Sequence, residues 1–167
     1  MTETDSDRID QLTQAVAELC RARHLQLAVA ESCTGGWVAM ALTSLAGSSE
    51  WFDRGFVTYS NRAKQEMLGV RTETLETCGA VSEQTVAEMT QGALAASGVD
   101  LALAISGIAG PGGGTIEKPV GTVCFAWQMQ QGKAITAREW FGGDRQAVRR
   151  QAVEHALGRL VEILESG

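Results

Sequence analysis

The sequence predicts an α/β protein: a three-layer α/β/α sandwich around a mixed, mostly parallel five-stranded sheet, with residues 1–167 as a single domain. Three observations predict it. Helix-like and strand-like periodicities alternate up to about residue 106, two strand-like runs then follow one another across a short polar connector, and the chain ends on a long apolar repeat of four.

Leu12, Val16 and Leu19 fall at helical spacing and mark an amphipathic helix over 8–23. "LQLAVA" (25–30) is an apolar run short enough for a buried strand, and "ESCTGG" (31–36) is the turn that follows it. A helix is expected over about 35–46, then a second strand, "GFVTYS" (55–60), running into a helix that starts near Asn61 or Arg62. Ser82 suits the N-cap of a helix through about 97, and "DLALAIS" (100–106) reads as a strand buried on both faces. After a glycine-rich loop, "VGTVCFAW" (120–127) and "AITAREWF" (134–141) flank "QMQQGK", which suits a hairpin. Asp144 can cap the last helix, in which Val148, Ala152, Ala156, Leu160 and Leu164 recur every four residues.

Composition removes several function classes. With 167 residues and 44% apolar content, the chain can bury one ordinary core. No apolar run approaches the roughly 20 residues needed to cross a bilayer. The start "MTETDSDRID" lacks a secretory pattern, so a cytoplasmic protein without a membrane partner is expected. A net charge of −6 argues against nucleic acid, whose binding depends on a broad basic surface. Cys20, Cys33, Cys78 and Cys124 are widely spaced and make neither a metal pattern nor a disulfide framework.

In an open α/β sheet, ligands sit at the carboxyl ends of strands. If the first three strands are parallel, "ESCTGG", "SNRAK" and "GIAGPGGG" open on one edge. "ESCTGG" supports two readings. Ser32 and Thr34 can cap a helix; alternatively Ser32 is a presented nucleophile, with the N–H groups of Cys33, Thr34, Gly35 and Gly36 available to an oxyanion or phosphate. A serine nucleophile needs a base. His24 ends the first helix and His155 lies inside the last, both outside these loops, so a Ser-His-Asp triad is not expected. Lys64 follows the end of the second strand and Tyr59 lies in the same turn, so both could reach Ser32 if the first two strands are neighbours. Lys64 would act as a base with its pKa depressed by burial; the alternative is a solvated helix charge.

"SGIAGPGGGTIEKP" lacks the GK[ST] ending of a P-loop, so Ser106, Gly107 and Gly110 are candidates for close backbone or hydroxyl contact with a ligand, or else belong to a plain surface loop. Arg145 and Arg149, one turn apart in "GGDRQAVRR", either form a solvated face or clamp a phosphate or carboxylate. Glu31 either orients a partner or complements the dipole of the next helix.

Six motifs in order, "AESCTGGWVA", "AGSSEWFDRGFVTYSN", "GAVSEQTV", "SGIAGPGGG", "EKPVGTV" and "GDRQAVRRQAV", resemble the CinA C-terminal family in its stand-alone amidohydrolase form, over about residues 8–162. The resemblance implies hydrolysis of the carboxamide of nicotinamide mononucleotide (NMN) to nicotinate mononucleotide and ammonia, in pyridine-nucleotide salvage. It implies Ser32 as nucleophile, Tyr59 and Lys64 as its catalytic partners and Arg145 as a substrate-handling residue. It also implies a five-stranded mixed sheet, no metal or organic cofactor, and a homodimer or larger homo-oligomer. The rival readings are a non-catalytic nucleotide-binding or interaction module of the same fold, and a hydrolase using Cys33, whose thiolate would be the better nucleophile.

Overall fold

The computed structural model describes residues 3–167, and in them the alternating periodicities become six α-helices and five strands. In chain order these are α1 (Glu3–Ala22), β1 (Leu27–Glu31), α2 (Trp37–Thr43), β2 (Phe52–Val57), α3 (Asn61–Leu68), α4 (Thr72–Cys78), α5 (Glu83–Ser97), β3 (Leu101–Gly107), β4 (Thr122–Met129), β5 (Ile135–Trp140) and α6 (Arg145–Ser166). The sheet order is β2-β1-β3-β4-β5. β1 pairs parallel with both β2 and β3, while β4 is antiparallel to β3 and to β5. Four of the five strands therefore point the same way, and the carboxyl ends of β1, β2, β3 and β5 share one edge.

Strand alternation divides the interior in two. Leu27, Val29, Leu103, Ile105, Phe125 and Trp127 pack with α1, α2 and α6, including Val148, Ala152, Ala156, Leu160 and Leu164 of the predicted stripe. Ala28, Ala30, Ala102, Ala104, Cys124 and Ala126 face the other way, toward Val86, Met89, Ala93 and Leu94 of α5. At about 0.8 kcal/mol per buried methylene, the first face carries most of the hydrophobic stabilisation. The second gives up area to let α5 lie close to the sheet. That closeness continues between helices: a Cβ at Gly92 of α5 would fall 1.9 Å from the Leu68 carbonyl oxygen of α3. The two backbones touch, which fixes where α3 stands.

Ser82 and Asp144 cap as the sequence predicts, accepting from the N–H groups of Thr85 and Ala147, and Ser60 caps α3 in the same way through Ala63 N. Other boundaries differ for local reasons. α1 begins at Glu3, ahead of the first apolar position of its stripe. β2 ends at Val57, so Thr58–Ser60 form a turn rather than the end of a strand. α2 starts at Trp37, because Gly35 and Gly36 take left-handed φ of 60° and 101°. α4 lies in a stretch that carried no helix expectation; only Thr74 and Leu75 are buried in it, too few to make a stripe. It is held instead by Glu88, which accepts from Arg71 N at 2.9 Å and Thr74 Oγ1 at 2.5 Å.

Candidate active site

The turn after β1 carries Ser32, whose N–H continues the sheet by donating to the Ile105 carbonyl at 3.0 Å. Its Oγ lies 3.0 Å from Lys64 Nζ, which also donates to the Thr58 carbonyl at 2.8 Å. Lys64 is 1% exposed, which rules out the solvated-charge reading. Burial pushes its pKa below the ordinary 10.5. β1 and β2 pair directly, and α3 starts immediately beyond β2, which is how residues 32 positions apart come to share a hydrogen bond.

Ser32, Cys33, Tyr59, Gly107 to Gly110, Gly112, Gly113 and Arg145 surround a cavity of about 270 Å³ at this edge. Of the residues singled out in the sequence, Ser32, Cys33, Tyr59, Gly107, Gly110 and Arg145 meet there, while Lys64 stands behind Ser32. A side chain at 107 or 110 would strike its neighbours: a Cβ would come within 2.7 Å of Val123 Cγ2 and 2.4 Å of Val120 Cγ1 respectively. Glycine at these positions lets the β3 end and its loop close over the cavity.

Three placements correct the sequence reading. Ser106 is 1% exposed within β3, paired with Cys124, and does not line the cavity. Thr34, Gly35 and Gly36 line a separate hollow of about 370 Å³, with Trp37, Met40, Gln146 and Arg149. The Tyr59 hydroxyl is engaged by Arg145, which donates to it at 2.8 Å and to the Gly110 carbonyl at 2.8 Å, rather than by Ser32 or Lys64.

Neither Ser32 nor Thr34 caps α2. Glu31, 1% exposed, does so: its carboxylate accepts from Val38 N at 2.9 Å, Ala39 N at 3.1 Å and Thr34 Oγ1 at 2.7 Å. A buried carboxylate is tolerated only when so satisfied. Of its two sequence readings, complementing the next helix is the one the geometry takes. It also means that the first-turn N–H groups of α2 at 38 and 39 are already used.

Cys33 is 5% exposed, and burial, reinforced by the Glu31 carboxylate, pushes its thiol up to about 11. It is a thiol, not a thiolate, at neutral pH. His155 is packed among Phe125, Trp127 and Phe141, with the Phe125 centroid at 4.7 Å; burial lowers its pKa. His24 lies in the turn two residues past the end of α1, at a φ of 53°. Neither lines the cavity. Among the described residues, no group of three or more His, Cys, Asp or Glu gathers to hold a metal, and no helix is long and apolar enough to cross a membrane.

The Thr58 carbonyl, an acceptor for Lys64, was not singled out in the sequence, and Arg149, read there as part of a solvated face or an anion clamp, binds backbone instead. Arg149 donates to the carbonyls of Cys33 and Thr34. Its four-residue spacing from Arg145 was the available signal, since it puts both guanidinium groups on one side of α6.

A serine hydroxyl and a buried lysine amine sharing a hydrogen bond, at the carboxyl edge of an α/β sandwich, define the class of site. The chain belongs to the CinA C-terminal domain family, whose model matches residues 9–164. It is 59% identical over 157 residues to the nicotinamide-nucleotide amidohydrolase PncC of Escherichia coli (strain K12), covering 94% of each chain. To the nicotinamide-nucleotide amidohydrolase PncC of Pseudomonas putida it is 47% identical over 157 residues, 94% of this chain and 98% of that one. Among solved structures, the competence/damage inducible protein CihA from Agrobacterium tumefaciens superposes with a TM-score of 0.91 at 46% identity, over 93% of this chain and 95% of that one.

Proposed function

We propose that this chain is an amidohydrolase that converts nicotinamide mononucleotide and water to nicotinate mononucleotide and ammonia, with Ser32 as nucleophile and Lys64 as general base. The observation that carries the mechanism is the 3.0 Å contact between Ser32 Oγ, which opens on the cavity, and the buried Lys64 amine. The substrate class rests on the names of relatives that share nearly the whole chain.

The neutral Lys64 amine keeps one N–H on the Thr58 carbonyl and turns its lone pair to the Ser32 hydroxyl. As Ser32 Oγ bonds to the carboxamide carbon, its proton passes to Nζ and the carbonyl oxygen becomes an oxyanion. N–H groups at the start of the turn, at Cys33 and Thr34, stabilise that charge. Collapse breaks the C–N bond, Lys64 returns the proton to the departing nitrogen, and ammonia leaves an ester on Ser32. Water then attacks the ester; Nζ takes its proton and passes it to Ser32 Oγ as nicotinate mononucleotide is released. Arg145 exchanges one of its neutral acceptors, Tyr59 or Gly110, for the substrate phosphate, a stronger partner for a guanidinium. Tyr59, released from Arg145, is then free to contact the substrate at the rim.

Residues 1–167 act as one catalytic unit in this reading, within pyridine-nucleotide salvage in the cytoplasm, as a homodimer or larger homo-oligomer. Ammonia release from NMN by chelator-treated protein tests the reading. Turnover must vanish in Ser32→Ala and survive in Cys33→Ala; the reverse pattern would transfer the nucleophile to Cys33, and no turnover by the parent chain would leave only a binding module.

A further inference from the structure

Arg149 does not line the cavity that holds Ser32, yet most of its guanidinium is spent on the turn that presents it. Nε donates to the Cys33 carbonyl at 3.0 Å and one terminal nitrogen to the Thr34 carbonyl at 3.3 Å; the other meets Gln146 Oε1 at 3.2 Å, and the group lies 5.6 Å from the Trp37 ring centroid. A peptide is planar and trans, so its C=O and N–H point to opposite sides. Drawing the Cys33 and Thr34 carbonyls toward α6 turns the Thr34 and Gly35 N–H groups away from it. The Gly35 N–H is taken by the Ser32 carbonyl at 3.0 Å. The Thr34 N–H, one peptide beyond the one that joins Ser32 to Cys33, has no acceptor among the described residues.

Thr34 is held from the other side as well, through its hydroxyl on Glu31 at 2.7 Å. Without Arg149, the Thr34 carbonyl would keep the Trp37 N–H at 3.0 Å, but the Cys33 carbonyl would have no donor among the described residues. The glycines that follow, at φ of 60° and 101°, offer little resistance to a peptide flip. A flipped Cys33–Thr34 peptide would present a carbonyl, not a donor, to a developing negative charge.

We infer that Arg149 is a positioning residue that fixes the Cys33–Thr34 peptide plane, so that the Thr34 N–H faces the oxyanion formed when Ser32 attacks. The inference rests on the acyl-transfer reading above and deepens it. It separates two arginines of the first turns of α6: Arg145 meets substrate, whereas Arg149 acts through the backbone. A guanidinium on the neighbouring carbonyl also polarises the peptide and strengthens its N–H as a donor.

The experiment compares steady-state ammonia release and thermal midpoints of the parent, Arg149→Ala and Arg149→Lys. Losing one oxyanion donor costs about 10²- to 10³-fold in kcat, and a fall of that size is expected in both variants with KM held within about twofold. Arg149→Lys keeps the charge over Trp37 but cannot span both carbonyls, so it stays slow while remaining folded. Millimolar guanidinium chloride restores part of kcat in Arg149→Ala, ammonium chloride at the same concentration does not, and neither restores Ser32→Ala. The inference is overturned if Arg149→Lys turns over at the parent rate. It is equally overturned if KM rises at constant kcat, or if kcat falls only in step with the thermal midpoint and guanidinium restores nothing. Turnover by Ser32→Ala would instead sink the acyl-transfer reading itself, whatever Arg149 does.

Discussion

Replacing Gly92 with alanine perturbs the site from outside it, because α5 and α3 touch there and α3 carries Lys64. A Cβ at position 92 falls 1.9 Å from the Leu68 carbonyl oxygen, 2.7 Å from its carbon and 2.8 Å from its Cα. Ordinary contact begins at 3.4 Å, so the backbones must separate by 3.4 Å less 1.9 Å, or 1.5 Å. Backbone atoms cannot escape by changing rotamer, so α3 itself must move. Lys64 lies one turn before Leu68 on the same helix, and its 3.0 Å contact with Ser32 Oγ does not survive a shift of that size. A misplacement of about 1 Å costs on the order of 10²-fold in rate, so kcat is expected to fall about 10²-fold with KM little changed. Alanine gains about 1 kcal/mol over glycine as a helix former, while overpacking costs about 1–3 kcal/mol, near the upper end for backbone against backbone. The net loss of about 1–2 kcal/mol lowers the thermal midpoint by roughly 2–8 °C. Gly158 of α6 is the control: nothing lies within 4 Å of its Cβ position. Gly158→Ala should raise the midpoint by about 2–4 °C and leave kcat alone. Ammonia release and thermal unfolding of both variants check the expectation. A Gly92→Ala protein at least as stable as its parent, with full kcat, would refute the claim that the α3–α5 contact positions Lys64.

Lys64 also sets a pH dependence. Its base form is the neutral amine and burial lowers its pKa, so kcat should rise with pH through that lowered value and then level off; a profile that falls with pH would contradict the role. The unfolded chain binds more protons between the depressed pKa and 10.5, so stability rises with pH across that window, and denaturant titrations of Lys64→Met should lack that part of the slope. Glu31→Gln replaces an acceptor of three hydrogen bonds with a group that carries two N–H donors of its own. It should lose about 2 kcal/mol in urea unfolding, and unchanged stability would remove Glu31 as the cap of α2. Arg145→Ala should raise KM about 10- to 100-fold with kcat within about threefold, the signature of lost substrate binding; a selective loss of kcat would place Arg145 in the chemical step.

What could be read in the sequence was what is local. Ser60, Ser82 and Asp144 cap helices through residues three positions away, and the α6 stripe repeats every four, so both are printed along the chain. α4 has no stripe to read, and its support comes from Glu88, more than ten residues downstream. Ser106 sits in a strand buried on both faces, where alternation gives no sign of which side meets a ligand. Glu31 stands next to Ser32 in sequence, but its role depends on a turn that folds Val38 and Ala39 back onto it. The pairing of Lys64 with Ser32 was reachable by elimination, since few other bases follow a strand. Its burial was not, because that depends on α3 packing against α5.

The position of Arg145 and Arg149 depends on strand parity. β1, β2 and β3 run together, so their loops share an edge. The β4–β5 hairpin reverses the chain twice, which brings the end of β5 back to that same edge. α6 begins five residues after β5 ends, and its first two turns reach back across the sheet edge to the loops after β1, β2 and β3. Arg145 on its first turn and Arg149 on its second are thereby delivered to the two sides of one peptide segment, the former to Tyr59 and Gly110 around the cavity, the latter to the carbonyls of Cys33 and Thr34 behind it. A hairpin expectation and a capping aspartate, both legible in the sequence, gave the end of β5 and the start of α6 but not the strand order that brings α6 to the site. Only the coordinates assign one arginine to the cavity and the other to the backbone that frames it.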